Sequence, residues 1–337
     1  MRRHTIVTLT LLLVIAAALP CGLLVGGVGL LASDVFGVFG GSGDSLASFI
    51  VLETRLPALL CSLIAGASLA LAGLLMQTCF NNPLAGPSIM GISSGASVGV
   101  AVVIMLMGGA IGLWGRLAIV GGALVGALCI LGVLLLFSLV VKSDEVLLIV
   151  GILLGYAASS AISLLNFFSS EQSVHSFVLW GLGSFSGLTL DEVPLFTLLC
   201  IAPAVISMLY AKSLNAMLFG ERFAENVGVA THRVRSVVLL LSGLLTAVVT
   251  AWCGPIGFIG LIAPHIARML LASSNHHILM PVTMLCGAVI GIICQIISVC
   301  PSLSTGSVIP VNAITPLIGV PIIVYVLLNR RKLLYFN

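Results

Sequence analysis

Residues 56–115 read LPALLCSLIAGASLALAGLLMQTCFNNPLAGPSIMGISSGASVGVAVVIMLMGGAIGLWG. Arg55 precedes the stretch, Arg116 follows it, and no Asp, Glu, Lys or Arg lies between. A surface facing water cannot be built from such a sequence. One apolar crossing of a bilayer takes about 20 residues, so the stretch holds two. The breakers Asn81-Asn82-Pro83 divide them. The polar turn runs on through Leu84-Ala85-Gly86-Pro87 and Gly91-Ile92-Ser93-Ser94-Gly95-Ala96. Irregular backbone of this kind survives at membrane depth only where protein or a water-filled cavity satisfies its polar groups.

The rest of the chain follows the same pattern. No charge occurs between Arg3 and Asp34 or between Arg268 and Arg330. Apolar residues make up 60% of the 337 residues and charged residues 7%, and the mean hydropathy is +1.29. A soluble domain carries about 25% charged residues, so the solvent of this chain is lipid. Punctuation by charges and breakers predicts an all-α, polytopic membrane protein with about ten transmembrane helices. They are placed at 5–31, 56–79, 91–113, 117–141, 146–168, 193–211, 236–253, 257–272, 278–299 and 311–328. The first is read as a span and not a cleaved signal, because its apolar run outlasts an h-region of about 7–15 residues. Pro20 before Cys21 argues against a lipoprotein site. The nine cysteines form no CxxC pair and read as small buried hydrophobes.

Ten spans return both termini to one side. With that side cytoplasmic, the inner loops hold Arg2, Arg3, Lys142, Lys212, Arg222, Arg233, Arg235, Arg268, Arg330, Arg331 and Lys332. Only Arg55 and Arg116 lie outside. This is a strong positive-inside bias. The acids fall outside the spans: Asp34, Asp44, Glu53, Glu171, Asp191 and Glu192 on the outer side, Asp144, Glu145, Glu221 and Glu225 on the inner. Ion-coupled carriers usually place ionisable groups within the membrane, so an ion-coupled secondary transporter is the less favoured alternative. A membrane-embedded enzyme would need a nucleophile, base or metal cluster, and none is evident. None of the three lysines has the Gly-Lys-Ser/Thr context of a phosphate-binding loop. If ATP drives the protein, a separate subunit binds it. His276-His277 is an adjacent pair whose members face different directions on a helix, so no metal site is expected, and no cofactor.

Four segments rise above generic transmembrane sequence. The first begins Arg55-Leu56-Pro57 and carries Ser62, Gly66, Ala70 and Gly73 on one helix face, where close helix packing is the plain reading. It continues through Asn81–Pro87. The second is Gly220-Glu221-Arg222-Phe223-Ala224-Glu225-Asn226-Val227-Gly228-Val229, a short charged helix ended by glycine. The third is Gly254-Pro255-Ile256-Gly257-Phe258-Ile259-Gly260-Leu261-Ile262-Ala263-Pro264-His265-Ile266-Ala267-Arg268. The fourth is the broken start of the last span, Ile309–Pro321.

Together, and in this order, these segments resemble the FecCD/BtuC family of ABC-importer permeases, which take up ferric siderophores, haem and cobalamin. The resemblance runs from Arg55 to about Arg330. It implies the type II importer permease fold over the whole chain, with residues 212–235 as a cytoplasmic coupling loop. It implies a multi-pass protein of the bacterial plasma membrane with both termini cytoplasmic. The implied partners are a second permease subunit, as a homodimer, two cytoplasmic ATP-binding cassette subunits, an extracytoplasmic binding protein and the lipid bilayer. Nucleic acid has no place in this scheme, and ATP hydrolysis falls to the partners, so the chain itself is not an enzyme.

Residue roles follow from the resemblance alone. Gly220, Glu221, Arg222, Phe223, Ala224, Glu225, Asn226, Val227 and Gly228 match the family's ATPase-coupling helix. The fifth span corresponds to the helix lining the translocation path, with Ser159, Ser163 and Asn166 on one face and Tyr156 and Ser160 beside it. Interhelical hydrogen bonding is the other reading of these polar residues. Ser143, Asp144 and Glu145 fall at the family's cytoplasmic gate, with capping of the following helix as the alternative. Arg55 falls where the family docks its binding protein. The family often has a second outer arginine before the last span, but Cys300 to Ser307 carry no charge here. Arg116 is the substitute considered. His265 is assigned packing or capping.

Overall fold

The computed structural model describes residues 2–41, 44–107, 113–141, 143–302 and 306–328. These residues are almost entirely helical. In chain order the helices are α1 (Arg2–Leu24), α2 (Ala32–Phe39), α3 (Ser45–Phe49), α4 (Leu56–Cys79), α5 (Ile92–Met107), α6 (Leu113–Val140) and α7 (Asp144–Phe167). There follow α8 (Glu171–Gly181), α9 (Val193–Met208), α10 (Ala211–Met217), α11 (Glu221–Asn226), α12 (Thr231–Cys253), α13 (Ile259–Leu271), α14 (His276–Val299) and α15 (Val311–Leu328). Among the described residues, seven helical stretches are long and apolar enough to cross a bilayer, and three shorter apolar helices lie at Ile92–Leu106, Ile259–Leu271 and Val311–Val326. These ten segments correspond in order to the ten expected spans.

Several boundaries shift, each for a local reason. The first span stops at Leu24, seven residues short of the expected 31. Glycines 26, 27 and 29 follow, and the open carbonyls of α1 are taken by a side chain from elsewhere. Arg55 Nη1 donates to Leu23 O at 2.6 Å and Leu24 O at 3.2 Å, and Nη2 donates to Val28 O at 2.5 Å. A cation on exposed helical carbonyls meets both the hydrogen-bonding and the dipole demand of a C-terminus. Gly26 makes room, since a Cβ there would lie 2.7 Å from the guanidinium. Arg3 serves α13 in the same way, with Nε on Leu270 O at 2.9 Å and Nη2 on Met269 O at 3.3 Å. Arg55→Met is expected to destabilise the protein by about 1–3 kcal/mol, because three backbone carbonyls lose a charged donor. A lowered melting temperature of the purified protein in detergent checks this.

Upstream of Arg55, a π-helical turn (Ile50–Arg55) runs directly into α4, so the helical stretch extends back to Ser45. The loop from 169 to 192 contains α8, whose N-cap Ser170 accepts from Ser173 N. The seventh span starts at Thr231, five residues early, and takes Arg233 and Arg235 into its first turns. It ends at Gly254, whose φ of 73° suits glycine.

The most buried spans are α4 and α12, packed with α13 and α14; α1 and α7 are the most exposed. The small-residue face of α4 is used for packing, as expected. A Cβ on Gly73 would come within 1.8 Å of Gly260 O in α13, and one on Gly66 within 2.2 Å of Gly287 O in α14. Backbones at that separation gain dispersion and weak polar contacts that a larger side chain would prevent. Ser242 of α12 adds a hydrogen bond from its hydroxyl to Ala72 O of α4 at 3.0 Å.

Candidate functional site

The helices alternate between two ends of the bundle. One end carries the Arg3 bond to Leu270 O, the Ser138–Ser236 contact, the Thr78–His276–Asn215 chain and the Glu221–Arg235 pair. The opposite end gathers Arg55, Arg116, Ser186 and Glu192.

At the first end α10 and α11 form a compact charged segment ahead of α12. Gly220, at φ 99°, and Gly228, at φ 88°, take the left-handed turns on either side of α11. Ala224 is fully buried and seats the helix. Two acidic side chains tie it to the start of α12: Glu221 Oε1 accepts from Arg235 Nη2 at 3.0 Å, and Glu225 Oε1 accepts from Thr231 Oγ1 at 2.9 Å. The remaining face is open. Phe219 is 75% and Phe223 48% exposed, their rings 5.3 Å apart, and Arg222, Asn226 and Val227 are exposed beside them. Two aromatic rings and a cation held clear of the bundle form a peg, attached from behind by its acids.

A second attachment runs through α10. Asn215 Oδ1 accepts from His276 N at 2.8 Å and lies 2.8 Å from His276 Nδ1. His276 Nε2 lies 2.8 Å from Thr78 Oγ1 at the end of α4. Asn215 Nδ2 donates to Asn275 Oδ1 at 3.0 Å. The segment is thus joined to α4, α12 and α14. The sequence does not single out Phe219, Asn215 or Thr231, and it offers Arg235 only as an inner-loop charge and His276 only as one of an adjacent histidine pair. Only Phe219, a large apolar residue beside a charged loop helix, carried a readable signal; the others act across long sequence separations. Glu225→Arg is expected to lift α11 from α12 by breaking the Thr231 contact and opposing Arg235. Faster proteolysis between residues 218 and 231, with the transmembrane fragments intact, checks this.

The specific motifs meet close by. His265 Nε2 lies 3.0 Å from Pro83 O, joining the GPIGFIGLIAPHIAR stretch to NNPLAGP. Arg268 Nη1 donates to Gln77 Oε1 at 2.7 Å, and Gln77 Nε2 donates to Leu261 O at 3.2 Å. His265 therefore holds packing together, as expected, and His276 is engaged in the same layer while His277 is exposed.

Helix α7 presents an open face. Tyr156 is 68% exposed, and Ser159, Ser160 and Ser163 are exposed with it. Ser163 Oγ donates to Ser159 O at 3.0 Å. Asn166 is half-buried, and its Oδ1 has no hydrogen-bond partner among the described residues. At the start of α7, Ser143 Oγ accepts from Val146 N at 3.4 Å and donates to Glu145 Oε2 at 2.5 Å. The expected gate residues thus include a helix N-cap, which is the alternative reading. The side chain of Asp144, the side chain of Arg2, all of Lys142 and residues 330–332 lie outside the described residues.

The two arginines expected to meet a binding protein are engaged within the chain. Arg55 is 8% exposed, because its guanidinium serves α1. Arg116 Nη2 pairs with Glu192 Oε2 at 2.6 Å and donates to Gly187 O. Each is drawn inward by acceptors that the linear sequence does not place nearby.

Comparison with known proteins agrees with this architecture. The FecCD transport family matches residues 9–329. The chain is 34% identical over 282 residues to the vitamin B12 import system permease protein BtuC of Klebsiella pneumoniae subsp. pneumoniae, covering 83% of each chain. It is 32% identical over 290 residues to BtuC of Vibrio cholerae serotype O1, covering 86% of this chain and 85% of that one. Among solved structures, it is similar to the inward-facing form of an ABC transporter provisionally described as of the metal-chelate type. That similarity has a TM-score of 0.83 and 30% identity, and covers 97% of this chain and 99% of the other. With the family matched over nearly its whole length and its motifs packed against one another, this chain belongs to the FecCD transport family of ABC-transporter permeases.

Proposed function

We propose that this chain is the membrane subunit of a binding-protein-dependent importer, carrying an iron-siderophore, haem or cobalamin-type chelate into the cytoplasm. ATP hydrolysis on two separate cassette subunits powers it. The observation that carries this reading is the peg at α11. Phe219, Arg222 and Phe223 face outward, while Glu221, Ala224, Glu225 and Asn215 fasten the segment to three spans. A rigid, multiply attached element can pass a partner's displacement to a helix bundle. The end bearing α11 is then cytoplasmic, with both termini on that side, and the whole chain forms one permease domain with 212–235 as its coupling loop.

The exposed face of α7 meets the same face of a second permease subunit. Tyr156, Ser159, Ser160, Ser163 and Asn166 line the passage between the two, and Ser143, Asp144 and Glu145 lie at its cytoplasmic mouth. Hydroxyls and one amide suit a large, already chelated solute, which needs weak polar contact and no stripping of ligands. The binding protein docks at the opposite end, which Arg55 and Arg116 organise from behind. The vitamin B12 permeases and the metal-chelate transporter among the similar proteins support this cargo class. Ser159→Trp combined with Ser163→Trp is expected to block uptake while leaving ATPase binding intact. Measuring both in proteoliposomes carrying the full complex tests the assignment; unimpeded uptake would remove α7 from the passage.

A further inference from the structure

Cys61 and Cys253 come from different helices and are 192 residues apart in sequence, yet their Sγ atoms lie 3.3 Å apart. Cys61 is the sixth residue of α4 and Cys253 the last of α12. Both sit toward the end of the bundle opposite α11. Cys61 lies roughly 8 Å along α4 from the Arg55 junction. The carbonyl of Cys253 accepts from Ser184 N at 2.8 Å, and Ser184 is exposed. Cys253 is thus joined directly to a surface loop. Both side chains are buried in one apolar cluster that also holds Cys200.

We propose that Cys61 and Cys253 form a disulfide-forming modification site that staples the outer ends of α4 and α12. Closing the pair to bonding distance needs an approach of about 1 Å, within reach of small side-chain rotations. The site lies toward the extracytoplasmic side, where disulfides persist; that placement, and nothing else here, rests on the orientation proposed above. The oxidant is a small uncharged peroxide. One sulfur attacks a peroxide oxygen, the O–O bond breaks, and a sulfenic acid forms with release of water. The second sulfur then attacks the sulfenic sulfur, the S–S bond forms, and a second water leaves. Two thiols are oxidised and one peroxide is reduced. The staple joins helices that Ser242 and Ala72 already bond together, so it reinforces an existing contact.

The full chain, purified in detergent, is treated with hydrogen peroxide, denatured, alkylated and examined by mass spectrometry without reduction. The expected result is an intact mass lower by two hydrogens and one cross-linked peptide pair containing Cys61 and Cys253, reversed by reductant. Cys61→Ser and Cys253→Ser each abolish the cross-link, and Cys200→Ser leaves it unchanged. Full alkylation of both thiols after peroxide would overturn the proposal, and so would cross-links equally frequent among Cys21, Cys129 and Cys300. The readout involves no transport, so it fails or succeeds separately from the assigned function.

Discussion

Arg222→Glu is expected to abolish chelate uptake while leaving the fold untouched. Arg222 is exposed on α11, next to Phe223 in sequence. Its substitution disturbs none of the bonds that hold the segment, since those run through Glu221, Glu225 and Asn215. Exposed positions of this kind usually change stability by no more than about 0.5 kcal/mol. A reversed charge at a docking surface is costly by contrast, at several kcal/mol where like charges meet. Loss of uptake by more than about tenfold corresponds to only ~1.4 kcal/mol of coupling. The check is uptake and ATP hydrolysis measured together in proteoliposomes, beside a melting curve of the purified variant. Uptake falls, hydrolysis no longer responds to loaded binding protein, and the melting temperature stays where it was. Phe223→Ala should act in the same direction.

Gly73→Val is expected to prevent the protein from reaching its folded state. The first atom added to Gly73 would fall 1.8 Å from the carbonyl oxygen of Gly260. Overpacking costs about 1–3 kcal/mol when side chains can yield, but the obstacle here is backbone. α13 would have to move away from α4. That movement would pull Arg268 from Gln77 and His265 from Pro83. The expected outcome is a membrane-inserted chain that aggregates on extraction, seen as loss of the monodisperse peak in size-exclusion chromatography. Gly121→Val is the control, because a Cβ there meets nothing within 4 Å, and its peak should remain.

Much of the architecture is legible in the sequence because the bilayer simplifies the problem. Charges and breakers such as Asn81-Asn82-Pro83 mark where spans end, and the ten apolar segments follow. The short charged helix after Gly220 is also readable, since its charges and the glycine that ends it are local in sequence. What escapes the sequence is long-range pairing. Nothing near Arg55 reveals that its guanidinium bonds the carbonyls at the end of α1. The pairing of Arg116 with Glu192 is equally hidden, because the two lie 76 residues apart. The start of α12 is placed too late because Arg233 and Arg235 look like loop charges; in the fold, the buried Arg235 finds Glu221 and the helix keeps both arginines. Asn215 and His276 carry no local signal at all. Their role exists only where α4, α10 and α14 converge.

In the proposed function, the peg at α11 receives work from an ATP-hydrolysing partner. The most direct measurement reconstitutes the chain with its cassette subunits and binding protein in proteoliposomes and follows entry of a cobalamin or ferric chelate. Uptake should require ATP on the α11 side, continue after ion gradients are collapsed by ionophores, and cease when the cassette subunits are omitted. Uptake by the permease alone, driven by an ion gradient without nucleotide, would contradict it.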